Sequence, residues 1–161
     1  MQPIQAADKR IPDLPCACAT LRRAARTVTQ IYAEEFQGML EGPQFSLLNI
    51  MAKRPGISQT GVANILLLDK TTLSRNLSVM KRNGWIERVE TDDRREHGFQ
   101  LTARGTEMLE QGWPAWQRAQ KRLKVALGLR DWQQLFDVAN TVTRTAWQLT
   151  GTNADGRTNN Q

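Results

Sequence analysis

Apolar residues recur at three- and four-residue intervals between Cys16 and Phe36, at Leu21, Ala24, Ala25, Val28, Ile31, Tyr32 and Phe36. That is the period of one helix face, and it predicts a first long helix. Gly38, Gly42 and Pro43 punctuate the chain, and Phe45, Leu47, Leu48, Ile50 and Met51 then mark a shorter apolar helix that stops before Pro55-Gly56. Ser58 has the side chain of an N-cap for a third helix through Leu66, with Val62, Ala63, Ile65 and Leu66 available for burial. Gly61 lies inside that helix at a cost of about 1 kcal/mol relative to alanine, a cost that would admit close approach of another backbone.

After a tight Leu67-Leu68-Asp69 turn, Asp69 caps a fourth helix from Lys70 to Asn83, its carboxylate suiting the free amides and the positive end of the helix dipole. Leu73, Leu77 and Met80 fall at i, i+4 and i+7 and point inward; Thr71, Ser74, Arg75, Ser78, Lys81 and Arg82 share the opposite side. Asn83-Gly84 ends the helix. Two β-prone stretches, Trp85 to Val89 and Gly98 to Thr102, flank the polar tip Thr91 to His97 and predict a hairpin. Thr102 then caps a long helix to about Leu127, kinked at Pro114, and a last helix runs from about Arg130 to Leu149. The expected architecture is mainly α with a small β-hairpin: a winged helix-turn-helix with long flanking helices.

Composition narrows the classes. At 40% hydrophobic and 24% charged the chain can build a core, and no apolar run approaches the roughly 20 residues of a membrane span. Residues 1–15 mix charge with three prolines, lack a secretory apolar stretch and read as a flexible arm, which points to the cytoplasm. Residues 150–161, without apolar members, read as a disordered tail. Cys16 and Cys18 are one residue apart and His97 stands alone, so neither a disulfide framework nor a metal site at familiar spacing is expected, and no cofactor. A single histidine in a turn gives no catalytic constellation, and an enzyme is not expected. The net charge of +6 favours a polyanionic partner, and between Lys53 and Arg104 ten Lys/Arg stand against six acids.

A polar, basic helix face alone is usually just solvated. Here it follows a short capped helix and a tight turn and precedes a basic hairpin, the order of a winged helix-turn-helix. The hydroxyls and Arg75 in its first half suit base edges, and Lys81 and Arg82 suit phosphates. An exposed apolar or acidic face, which would favour protein contacts over DNA, is not what this helix carries. The chain resembles the multiple antibiotic resistance regulator (MarR) family in four ordered blocks: Asp69-Lys70-Thr71-Thr72-Leu73-Ser74-Arg75-Asn76-Leu77, then Lys81-Arg82-Asn83-Gly84-Trp85-Ile86-Glu87-Arg88, then Asp93-Arg94-Arg95, then Leu101-Thr102-Ala103-Arg104-Gly105.

The resemblance covers residues 16–149 and implies a single domain, with 16–43 and 103–149 as dimerisation helices and 44–102 as the winged part. It implies a sequence-specific regulator of double-stranded DNA, expected to be a repressor released by a small molecule, with Lys70, Thr71, Thr72, Ser74, Arg75, Ser78, Lys81 and Arg82 at the DNA. At the wing tip it implies Arg95 in the minor groove, oriented by Asp93, with Arg94 the alternative inserter or a phosphate contact. A homodimer reading a pseudo-palindromic operator follows from the family pattern. The aromatic complement of Trp113, Trp116, Trp132, Phe136 and Trp147 in so small a chain supports it independently.

Family members bind small, often phenolic or aromatic effectors between their dimerisation and DNA-binding parts, which puts Tyr32, Phe36, Leu47 and Trp113 among the candidate lining; each is equally a core residue. The family's organic hydroperoxide regulators carry a sensing cysteine near the start of the first helix, and Cys18, or Cys16, is similarly placed. Cys18 precedes Tyr32 by fourteen residues, a spacing similar to theirs, while their second tyrosine corresponds to Arg22. Arg22 and Arg23 one turn on can stabilise a thiolate. The other reading is two small buried residues among alanines.

Overall fold

The computed structural model describes residues 12–13, 15–90 and 97–150. The N-terminal arm but for those first residues, the wing tip with Asp93, Arg94 and Arg95, and the tail beyond residue 150 lie outside the described residues. The chain divides into two compact units, one spanning Leu14–Ala119 and the other holding the chain from Gln120 onward.

In the first unit the elements run α1 (Ala17–Phe36), α2 (Gly42–Lys53), β1 (Ile57–Ser58), α3 (Gln59–Leu66), α4 (Lys70–Arg82), β2 (Ile86–Glu90) and β3 (His97–Leu101), followed by the start of α5 (Ala103–Leu149). Helix α1 stops because Gln37 takes up left-handed dihedrals, φ 50°, and Gly38 follows at φ 76°. Gly42 and Pro43, expected as punctuation, are the first residues of α2. Pro43 needs no amide partner there, and Glu41 and Gln44 close a reciprocal capping box in which the Glu41 amide donates to Gln44 Oε1 at 2.9 Å.

The sheet has three strands, not the two of a hairpin, in the order β1-β3-β2 and antiparallel throughout. Ile57 pairs with Phe99 and Ser58 with Gly98, while β2 runs against β3 from Ile86 opposite Leu101 to Glu90 opposite His97. His97, expected in the turn, is the first residue of β3. A two-residue strand has no periodicity to read, which is why β1 escapes the sequence pattern.

Leu47, Leu48, Met51, Val62, Leu73 and Met80 are fully buried and centre the core, with Phe36, Phe45, Leu77, Trp85, Ile86 and Phe99 around them. Burying each such side chain contributes about 1.5–3 kcal/mol, so α2, α3 and α4 are held by the face they share rather than by their own propensity. Gly61 does face a close neighbour, but it is the Ile57 side chain, with Cγ1 3.0 Å from where a Cβ would lie, and not a backbone. Ile65, expected inside, is exposed.

Thr102 joins two elements. Its hydroxyl donates to the Gly84 carbonyl at 2.6 Å and accepts from the Gly105 amide at 3.0 Å, capping α5 while gripping the turn that ends α4. One turn into α5, Gly105 presses on the Trp85 backbone. On the outer side, Arg118 Nε bonds Glu35 Oε2 at 2.8 Å and ties α5 to α1.

In α5 the backbone leaves helical dihedrals at Gly128, φ 79° and ψ 166°, and not at Pro114. The break divides the element where the sequence predicts one helix to end and another to begin. The second unit contains the part of α5 from Gln120. Within it Trp132 and Phe136 meet edge to face at 4.9 Å, while Val125, Leu129, Leu135, Phe136, Val138, Val142 and Leu149 are exposed.

Candidate nucleic-acid interface

Helix α4 separates its residues cleanly. Leu73, Leu77 and Met80 are buried, and Lys70, Thr71, Thr72, Ser74, Arg75, Ser78, Lys81 and Arg82 are all exposed. The helix carries four cations and no acid. Asp69 lies at its N-cap, where the carboxylate accepts from the Thr72 amide at 2.9 Å and from Thr72 Oγ1 at 2.6 Å. The Thr72 hydroxyl, followed by the amide bonds, holds the Asp69 carboxyl below the usual aspartate range. Thr72, grouped with the DNA contacts on sequence grounds, therefore serves the cap with its proton. At the other end Gly84, φ 69°, lets the Trp85 amide return to the Met80 carbonyl at 2.9 Å and turns the chain into β2.

Helix α3 leads into this helix through a tight turn. Ser58 Oγ caps it on the Gly61 amide at 3.1 Å, and Leu67 closes it in left-handed dihedrals, φ 51°. That strained leucine makes the turn to Asp69 tight without a glycine. Sequence reasoning missed Gln59, the first residue of α3, whose Nε2 lies 3.3 Å from Ser74 Oγ. Its partner is fifteen residues away on another helix, so no local pattern signals it. Gln100 and Glu87, joined at 2.7 Å across the strands, were missed for the same reason.

The four effector candidates share one core. Phe36 and Leu47 are buried in it, while Tyr32 and Trp113 pack against it. Burial raises the Tyr32 phenol above its ordinary value. The hub is Phe45, 5.5 Å from the Phe36 ring, 5.3 Å from Trp113 and 6.0 Å from Trp116. Trp113 and Trp116 are thereby accounted for inside the first unit. A cavity of about 530 Å³ opens elsewhere, between the end of α2, β3 and the start of α5; Met51, Gln100, Leu101, Leu109, Glu110 and Trp113 are among its lining residues. Of the four candidates only Trp113 reaches it.

Cys16 and Cys18 are exposed, not buried among alanines. Cys16 is the N-cap residue of α1, and Cys18 in the first turn receives a hydrogen bond from Arg22 Nη2 at 3.4 Å. Among the described residues no group of three or more His, Cys, Asp and Glu is placed to hold a metal ion, and no helix is long and apolar enough to cross a membrane.

A capped helix pair, a three-stranded antiparallel sheet and a long helix closing the unit together define a winged-helix protein. A sequence model of the MarR family matches residues 40–96. Among solved structures, the Mycobacterium tuberculosis transcriptional regulator MosR in complex with DNA is 30% identical, with a TM-score of 0.75 over 83% of this chain and 98% of its own. The repressor CouR bound to a 23-mer DNA duplex is 25% identical, with a TM-score of 0.71 over 80% of this chain and 92% of its own. The Streptomyces coelicolor regulator PcaV with its natural ligand, at 22% identity, shares the fold, with a TM-score of 0.76 over 84% of this chain and 98% of its own. No curated protein matches the chain. The chain belongs to the MarR family of transcriptional regulators.

Proposed function

We propose that this chain is a cytoplasmic homodimer that binds pseudo-palindromic duplex DNA and represses transcription until a small ligand releases it. The observation that carries the reading is α4, with its apolar residues buried and its four cations and short hydroxyls exposed. Thr71, Ser74 and Arg75 lie toward the end that enters a major groove, Lys81 and Arg82 reach phosphates, and Arg95, with Asp93 and Arg94, serves the minor groove. The DNA complexes of MosR and CouR support it. The cavity beside Trp113 is the site offered for the ligand. Its apolar floor of Met51, Leu101 and Leu109, with Gln100 and Glu110 as polar partners, suits a flat phenolic or aromatic molecule.

Selection of bound sequences from a random duplex pool at stated salt tests the reading. Arg75→Ala is expected to relax preference at one position, and Lys81→Ala to weaken all duplexes alike and lower the salt slope by about one. Equal binding by wild type and both variants overturns it.

A second reading rests on the exposed Cys18, whose sulfur accepts a hydrogen bond from Arg22 Nη2 at 3.4 Å and is open to an oxidant. A hydroperoxide would oxidise that sulfur to a sulfenic acid, giving up its other oxygen as alcohol or water. A thiol from solution or from a second chain would then condense with it, releasing water and leaving a disulfide. DNA release under peroxide that persists in Cys18→Ser removes this reading.

A further inference from the structure

Three of the four hydroxyls on α4, those of Thr72, Ser74 and Ser78, are engaged in hydrogen bonds within the protein. Ser78 Oγ donates to the Ser74 carbonyl at 2.8 Å, and Thr72 Oγ1 donates to Asp69 Oδ2 at 2.6 Å. A carbonyl and an ionised carboxylate only accept, so each hydroxyl uses its single proton inside the protein and leaves lone pairs for anything outside. Ser74 is in the opposite state. The half-buried Gln59 amide donates to Ser74 Oγ at 3.3 Å, which occupies an acceptor position and leaves the hydroxyl proton available to the outer side.

We propose that Gln59 is a positioning residue that fixes Ser74 as a hydrogen-bond donor toward DNA, so that α4 offers a donor at Ser74 between acceptors at Thr72 and Ser78. This rests on α4 being the DNA-reading helix. The base edge facing Ser74 must then supply an acceptor, thymine O4, guanine O6 or N7, or adenine N7, and cytosine, which offers only its amino group there, is rejected. Gln59 itself needs no base contact. It specifies by orienting its neighbour, as an amide can and a carboxylate cannot.

The test is selection from a random duplex pool at fixed salt with wild type, Ser74→Ala, Gln59→Glu, Gln59→Met and the Ser74→Ala/Gln59→Met double variant, each checked to melt as wild type does. Ser74→Ala identifies the base pair concerned by flattening a preference of about fivefold, the worth of one neutral hydrogen bond. Gln59→Met, with no donor, is expected to flatten the same position, and the double variant to lose nothing more. Gln59→Glu can only accept, so it draws the Ser74 proton inward and shifts that position toward cytosine, whose major-groove edge offers only an amino donor. Its added charge weakens all duplexes evenly, which is why base preference and not affinity is the readout.

If either Gln59 variant keeps the wild-type preference at that base pair, or if Ser74→Ala flattens none, the inference is overturned, and α4 still stands as the reading helix provided Arg75→Ala relaxes its own position. A wild type that selects no sequence overturns both.

Discussion

A methyl group added at Gly105 would lie 1.8 Å from the Trp85 carbonyl oxygen, a backbone atom with nowhere to go. Gly105→Ala is therefore expected to destabilise the protein by about 3 kcal/mol or more, read as a lower urea midpoint, because α5 must lift off the turn that begins β2. Asp69 poses a question of charge, not space. Its folded pKa lies below the ordinary aspartate value, so its contribution to stability is full above that value and is lost as pH falls through the lowered one. Asp69→Asn keeps a capping oxygen but cannot titrate. The wild type should exceed it in urea midpoint at neutral pH, with the gap closing as the solution is acidified below about pH 4. A gap constant with pH would contradict the assignment.

At the scale of elements, Gly128 is the counterpart of Gly105. Nothing lies within 4 Å of an added Cβ, yet φ 79° with ψ 166° is a region open almost solely to glycine. Gly128→Ala should cost about 1–3 kcal/mol from dihedral strain alone, and a variant as stable as wild type would show that α5 tolerates being straight. Thr102→Val, matched in shape, strands both the Gly84 carbonyl and the Gly105 amide and should cost about 2 kcal/mol, with Thr102→Ser restoring most of it. Elements of this kind were legible in the sequence wherever a repeat spans several turns: Leu73, Leu77 and Met80 announce α4, and Ser58 and Asp69 announce the caps that bind Gly61 and Thr72. What was not legible depends on pairs distant in sequence. The strand at Ile57, the Gln59 bond to Ser74 and the Phe45 hub all need the tertiary fold to bring their partners near. The cavity is the extreme case, since its walls come from three elements and of the sequence candidates only Trp113 takes part.

At the scale of the molecule, the second unit exposes Leu129 at 67%, Val138 at 58% and Phe136 at 47%, a density of apolar surface that favours a partner. With Trp113 and Trp116 half-buried and packed against Phe45, the aromatic surplus that points to a dimer is reduced to Trp132, Phe136 and Trp147. Leu135→Glu with Phe136→Glu is expected to convert a dimer to a monomer in sedimentation at micromolar concentration and to weaken operator binding at least tenfold through loss of the second half-site. Unchanged sedimentation would place the interface elsewhere. The Thr102 hydroxyl bears on how such an assembly would respond to a ligand. A side chain that grips the end of α4 with one bond and the first turn of α5 with another leaves no play in the joint. In the homodimer proposed above it would act as a pinned crank: a small slide of the first turns of α5 would become a tilt of α4, and in a two-handed grip on DNA such a tilt would alter the span between the hands.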